Sequence, residues 1–448
     1  MAKIADFVFD IIDEAKSEVD LEVSISTEEY PKRWEMLQQA MRDRNVDLAY
    51  ACGSELDRSD AAWLAGAFDP IIERYGVLVP SEGTPAILAG SEGGHVMEEA
   101  AERSGAKIFL LQEFQISDEE YRHAHFTTLE EVLSSLGAQS AKKVALLSSP
   151  EFLPHSQFKI FESRFGDGVV YDPILELVKY EKTPAELRVC GQANLIADAA
   201  MRAMLASLEP GATELEVAGV GDFVMKELGA GRTGFPTIVT AGDRNYTVIG
   251  PATNNHIANG DMIALGVSPT FNGYHGVVRR TVKMGELTEG QREFLGGVEG
   301  LYDVVMKATI EAAEANLPSN HIDRAGKEYL ANLKLRTLKG DTRTPLEPYT
   351  FIHNTGCSEC QEGYGAVTPH TESPLAHRAA LMIDVALLGF KERGKPIFEV
   401  LYGVIEDAFW KMDTRIGVYN TLPLNVQELV GNLQDYERNP YHCPIPTG

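Results

Sequence analysis

Residues 260–281, GDMIALGVSPTFNGYHGVVRRT, narrow the possible folds more than any other part of this chain. Two apolar runs, Met262–Val267 and Val278–Lys283, have the length and composition of strands bounded by turn residues. Gly273 lies between them, where a residue without a Cβ serves a backbone turn. Gly260-Asp261 leads into the first run, and the second carries Arg279-Arg280-Thr281. The strand pair thus brings His275, Arg279 and Arg280 into one small region of the fold.

The surrounding pattern divides the chain. Residues 1–28 read as an amphipathic helical extension with Phe7, Ile11, Ile12 and Ala15 on one face. Residues 29–180 alternate strand candidates at 48–51, 75–79, 85–88, 107–111 and 143–147 with helical segments such as 96–103 and 129–136, the pattern of a small α/β domain. A boundary falls near Tyr180. Thr183 caps a helix that starts at Pro184, with Glu186 three residues after the cap. That helix stops before Pro210-Gly211, and Thr213 starts the next. Strands at 237–240, Met262–Val267 and Val278–Lys283 and a long helix at Glu289–Ala315 follow, so residues 181–448 form the second domain. The fold class is α/β (α+β). The tail after Asp413, rich in Asn, Pro and Tyr, is expected on the surface or across a partner subunit.

These features resemble the pita-bread family, which includes methionine aminopeptidases, Xaa-Pro aminopeptidases and creatinase. The resemblance rests on residues 260–281 and on the Thr183-Pro184-Ala185-Glu186 helix start. It implies an N-terminal creatinase-like α/β domain followed by a pita-bread domain. Family members that bind two metal ions carry an Asp at the position of Gly266 and a second at Val277. The His-ligand position falls on Cys357 of His353-Asn354-Thr355-Gly356-Cys357, and the last two ligands correspond to Asp384 and Glu406. A bridged two-metal site needs carboxylates and a His around a water, so the expectation is no bound metal and no cofactor. The loop from Ser268 to His275 and Arg279-Arg280-Thr281 look most like creatinase, although Ile249 stands where creatinase has its His base and Arg279 where it has a carboxylate.

The resemblance places His353, Asp384 and Glu406 at one cavity, with His353 as acid or base and the carboxylates orienting it. Arg279 and Arg280, with Tyr274, His275, Cys357 and Tyr364, are expected to bind substrate. Arg74, from the N-terminal domain, joins them by the same resemblance. An Arg suits a carboxylate-bearing substrate through bidentate bonds. Pairing of Arg280 with Asp384 or Glu406 for structure alone is an equal alternative. Cys357 and Cys360 form a C-x-x-C without a second ligand pair, a weak zinc signal.

Bulk properties exclude several classes. A formal net charge of −26 opposes nucleic acid and anionic membrane. No apolar run approaches the roughly 20 residues of a membrane span. Five scattered cysteines and an N-terminus without an apolar leader pattern indicate a cytoplasmic protein. The expected function is a metal-independent, creatinase-like hydrolase that cleaves a C–N bond in a small polar substrate and acts as a homodimer. The alternatives are a non-catalytic binding or scaffold protein and a peptidase holding one metal ion through Cys357, Asp384 and Glu406.

Overall fold

Local signals in the sequence set the ends of the long helices. The computed structural model describes residues 5–66, 72–116, 122, 124–359, 364–392 and 395–446. Thr183 accepts a hydrogen bond from Glu186 N while the Glu186 side chain accepts from Thr183 N, and the helix Pro184–Ala206 follows. Thr213 with Glu216 and Thr288 with Gln291 repeat this reciprocal cap at the helices Glu214–Glu227 and Glu289–Ala315. Each cap satisfies backbone N–H groups that have no partner inside the helix.

The chain forms two compact units. The N-terminal unit holds residues 24–181 and 361–364. Its strands are β1 (Leu48–Gly53), β2 (Tyr75–Pro80), β3 (Ala86–Ala89), β4 (Lys107–Leu110), β5 (Val144–Leu146) and β6 (Val169–Tyr171), in one sheet of order β4-β3-β2-β1-β5-β6. Leu48, Tyr50, Leu78, Leu88, Val144 and Phe161 contribute to an apolar core on this sheet.

The second unit holds the chain up to Val23 and most of it from Lys182 onward. Here β7 (Ile238–Ala241) and β8 (Met262–Val267) are followed by the short pair β9 (Thr270–Phe271) and β10 (Tyr274–His275), then by β11 (Val278–Lys283). After the short β12 (Leu335–Arg336) and β13 (Thr342–Arg343) come β14 (Ile352–Asn354) and β15 (Arg378–Leu388). The small pair β16 (Phe390–Glu392) and β17 (Lys395–Pro396) precedes β18 (Tyr402–Met412) and β19 (Arg415–Val418). The main sheet runs β14-β15-β18-β11-β8-β7, with β19 added to β18. Its two longest strands, β15 and β18, pair antiparallel along all eleven residues from Arg378↔Met412 to Leu388↔Tyr402.

One expectation changes. The first helix covers only Asp6–Lys16, and it buries Val8, Ile11 and Ile12 against the second unit's Pro184–Ala206 helix. The C-terminal tail, expected on the surface or across a partner subunit, is exposed over most of 431–438 and is tied to the sheet beyond it. Val418 pairs with Tyr441 and Cys443, Trp410 Nε1 donates to Cys443 O at 2.8 Å, and Asn439 is buried. Among the described residues, no helix is long and apolar enough to cross a membrane.

Replacing Thr183 by Ala removes one half of a reciprocal cap. Urea unfolding should show a loss of about 1 kcal/mol, with no change in secondary structure by circular dichroism.

Candidate active site

Sheet register builds the site. Gly266 on β8 faces Arg279 on β11, Arg279 faces Glu406 on β18, and Glu406 faces Asp384 on β15. Residues directly opposite across neighbouring strands share one sheet face. Four strands therefore contribute one row, with a cation beside two carboxylates.

The Arg279 guanidinium fills the middle of that row. Its Nη1 lies 3.4 Å from Asp384 Oδ2 and 3.3 Å from Glu406 Oε2. Its Nη2 donates to Tyr402 Oη and to Val248 O, each at 2.6 Å. Tyr349 Oη donates to Asp384 Oδ1 at 2.9 Å and sits 2.7 Å from the Tyr402 hydroxyl. Burial pushes the Asp384 carboxyl well above the usual carboxylate range, and the Glu406 charge adds to this, while Arg279 and His353 pull it down.

A second cluster adjoins the row. His353, Glu359 and Glu406 offer ligand atoms that all lie within 4.8 Å of one another. His353 Nε2 lies 3.5 Å from Glu406 Oε1, and this buried oxygen has no hydrogen-bond partner of normal geometry. Burial opposes a charge on His353, but Glu406, Glu359 and Asp384 outweigh it and raise the pKa to about 9. Gly234 supports the cluster by close approach: a Cβ there would meet Ser268 Oγ at 2.5 Å, His275 Cδ2 at 2.7 Å and Glu359 Cβ at 2.8 Å.

The donor set answers which metal centre these residues fit. A bridged pair of ions of the kind the resemblance implies needs carboxylates at 266, on β8, and at 277, just before β11. Gly266 has no side chain, Val277 has an apolar one, and Arg279 already occupies the space between Asp384 and Glu406. A two-ion centre does not fit this row. One ion fits the other cluster, because an imidazole and two carboxylates supply three protein ligands.

Of the residues expected at the site, His353, Asp384, Glu406 and Arg279 are brought together. His275 stays nearby but is buried, with Nδ1 3.1 Å from Gly356 O. Several expectations need correction. Arg280 lies on the opposite sheet face, because neighbours on a strand alternate. There it contacts Asp407 at 2.9 Å and the carbonyls of Glu406, Leu422 and Pro423, so its donors are spent on protein partners and it pairs with the carboxylate of neither Asp384 nor Glu406. Arg279 spends its terminal nitrogens on protein partners and presents no free fork to a substrate carboxylate. Tyr274 is fully buried and its hydroxyl donates to Glu186. Cys357 is buried and lies outside the His353–Glu359–Glu406 trio. Tyr364 and Arg74 belong to the N-terminal unit, where the Tyr364 ring meets Tyr180 edge-on at 5.3 Å. Cys360 falls outside the described residues.

Residues 189–378 match the family model of Metallopeptidase family M24. The chain carries the pita-bread fold of that family. A prolidase from Pyrococcus horikoshii superposes with a TM-score of 0.67 at 18% identity, covering 89% of this chain and 100% of the other. An X-Pro aminopeptidase from Thermotoga maritima gives 0.69 at 19% identity, covering 88% and 99%. In sequence, the Xaa-Pro dipeptidase of Pyrococcus furiosus is 25% identical over 250 residues, 53% of this chain and 66% of that protein. The Xaa-Pro dipeptidase of Pyrococcus horikoshii is 26% identical over 49% of this chain and 58% of that protein. The chain thus spans less than two thirds of the length of these curated relatives. The expected metal-independent, creatinase-like hydrolase is overturned, because these relatives are named Xaa-Pro dipeptidases and residues 189–378 match a metallopeptidase family.

Tyr349 and Tyr402 were absent from the expected site. Tyr402 was within reach, since it shares a strand face with Glu406 four residues later. Tyr349 sits in an irregular segment without such periodicity.

Two measurements check this geometry. Replacing Arg280 by Ala strands the buried Asp407 and should cost about 3–5 kcal/mol in urea unfolding. In the metal-free protein, His353 has a raised pKa, so its ion pair stabilises fully below the ordinary His value of about 6.5. That contribution is lost as pH rises through about 9. The urea midpoint should fall from pH 7 to pH 10, and fall less in His353→Gln.

Proposed function

We propose that the protein is a hydrolase of peptide bonds that works with one divalent ion and takes small Xaa-Pro-type peptides. The observation that carries this reading is the convergence of His353, Glu359 and Glu406, with Glu406 Oε1 facing His353 Nε2 at 3.5 Å. The names of the M24 relatives support the substrate class. The ligand trio differs from the alternative expected from sequence, since His353 and Glu359 replace Cys357 and Asp384.

An ion bound there supplies Lewis acidity and a hydrolytic water at neutral pH. The protein's own groups do the rest. His353 must give up its proton to become a ligand, so loading strengthens as pH rises. Asp384, with its carboxyl pushed up by burial and by Glu406, can hold or release a proton near neutrality. Tyr349 keeps that carboxyl oriented through its hydroxyl. Arg279 fixes the Glu406 Oε2 edge, which leaves Oε1 directed at His353.

The test is hydrolysis of Xaa-Pro dipeptides and of longer peptides with an N-terminal Xaa-Pro. Protein stripped by a chelator and reloaded with Mn2+, Co2+ or Zn2+ should regain turnover. Glu359→Ala and His353→Ala should each lower kcat/KM on the order of 100-fold or more. Reloaded protein that cleaves none of these peptides, or a Glu359→Ala variant as active as the parent, would refute the proposal.

A further inference from the structure

We propose that Gly266 and Arg279 are a matched pair, and that the Arg279 guanidinium is a permanent internal cation which limits this site to a single divalent ion. The inference builds on the one-ion reading above, but its basis is a different set of contacts.

The first observation is steric. A Cβ at Gly266 would meet Arg279 Cγ at 2.8 Å and Cδ at 3.4 Å. The first distance is too short for real atoms, and the Arg279 stem cannot swing freely because the residue is buried. An Asp at 266 and an Arg at 279 are therefore mutually exclusive in this backbone. The absent side chain on β8 is the space through which the Arg279 stem passes.

The second observation is electrostatic. Asp384 and Glu406 stand opposite each other in register, both nearly shielded from solvent. Two such carboxylates repel strongly unless a cation lies between them. Arg279 Nη1 reaches both, at 3.4 and 3.3 Å. The remaining Nη2 is held by two 2.6 Å bonds, to Tyr402 Oη and Val248 O.

The third observation is the backbone that provides the Val248 carbonyl. Val248 has φ +58°, a conformation that a β-branched residue rarely adopts. The cost of that conformation is tolerated where surrounding contacts fix it. One of those contacts is the hydrogen bond from Arg279. The guanidinium is thus anchored from the loop side and from the sheet side, and it has the place between the carboxylates to itself.

Removing the guanidinium leaves an oxygen-rich space bounded by Asp384, Glu406, Tyr349 and Tyr402, which suits a hard divalent cation such as Mn2+. The experiment is Mn2+ stoichiometry by elemental analysis and calorimetry on the intact chain, with Arg279→Lys and Arg279→Ala beside the parent. The parent and Arg279→Lys should take at most one equivalent. Arg279→Ala should take one equivalent more than the parent, and Mn2+ should raise its Tm more than it raises the parent's. If Arg279→Ala does not fold alone, its refolding on addition of Mn2+ supports the inference, and failure to refold with Mn2+ overturns it. Two equivalents in the parent, or no additional ion in folded Arg279→Ala, also overturn it. A parent that takes no ion while Arg279→Ala takes one would sink the one-ion function and leave this inference standing.

Discussion

A buried guanidinium between two buried carboxylates organises the functional face of this sheet. Asp384 and Glu406 come from the two strands that pair over eleven residues, so their spacing is set by the backbone ladder and not by flexible loops. Such a pair cannot remain charged side by side in a low-dielectric interior without a cation. Arg279 supplies it, and the positions of Tyr349, Tyr402 and the Val248 carbonyl follow from the donors of that one side chain. Gly266 makes room for it.

The opposite face of the same strand does different work. Arg280 and Asp407 form a fully buried ion pair, and Asp407 also accepts from Tyr302 on the Glu289–Ala315 helix and from Asn439 in the C-terminal tail. Asp407 thereby ties helix, sheet and tail together. Two adjacent arginines thus have unrelated roles, one facing the candidate site and one joining layers.

Much of the architecture was legible before the structure. Thr183 with Glu186 marked a helix start, and the apolar runs at Met262–Val267 and Val278–Lys283 marked strands, because both signals are local. His353, Asp384, Glu406 and Arg279 also came together as a group. The assignment of roles failed where strand parity was ignored: alternation alone places Arg279 and Arg280 on opposite faces. Tyr349 was harder, because it enters from an irregular segment where no periodicity tells which way a side chain points. Gly266 looked like a lost ligand position; its positive role as space for Arg279 appears only once the strands are in register.

The site is thus a pita-bread scaffold in which a protein cation and a cluster of His353, Glu359 and Glu406 divide the polar centre between them. The most direct test is a crystal structure of the Mn2+-soaked protein with anomalous scattering. The account predicts one anomalous peak, within coordination distance of His353, Glu359 and Glu406, and an Arg279 guanidinium still between Asp384 and Glu406. Two peaks in the row, or a peak between Asp384 and Glu406 with Arg279 displaced, would contradict it.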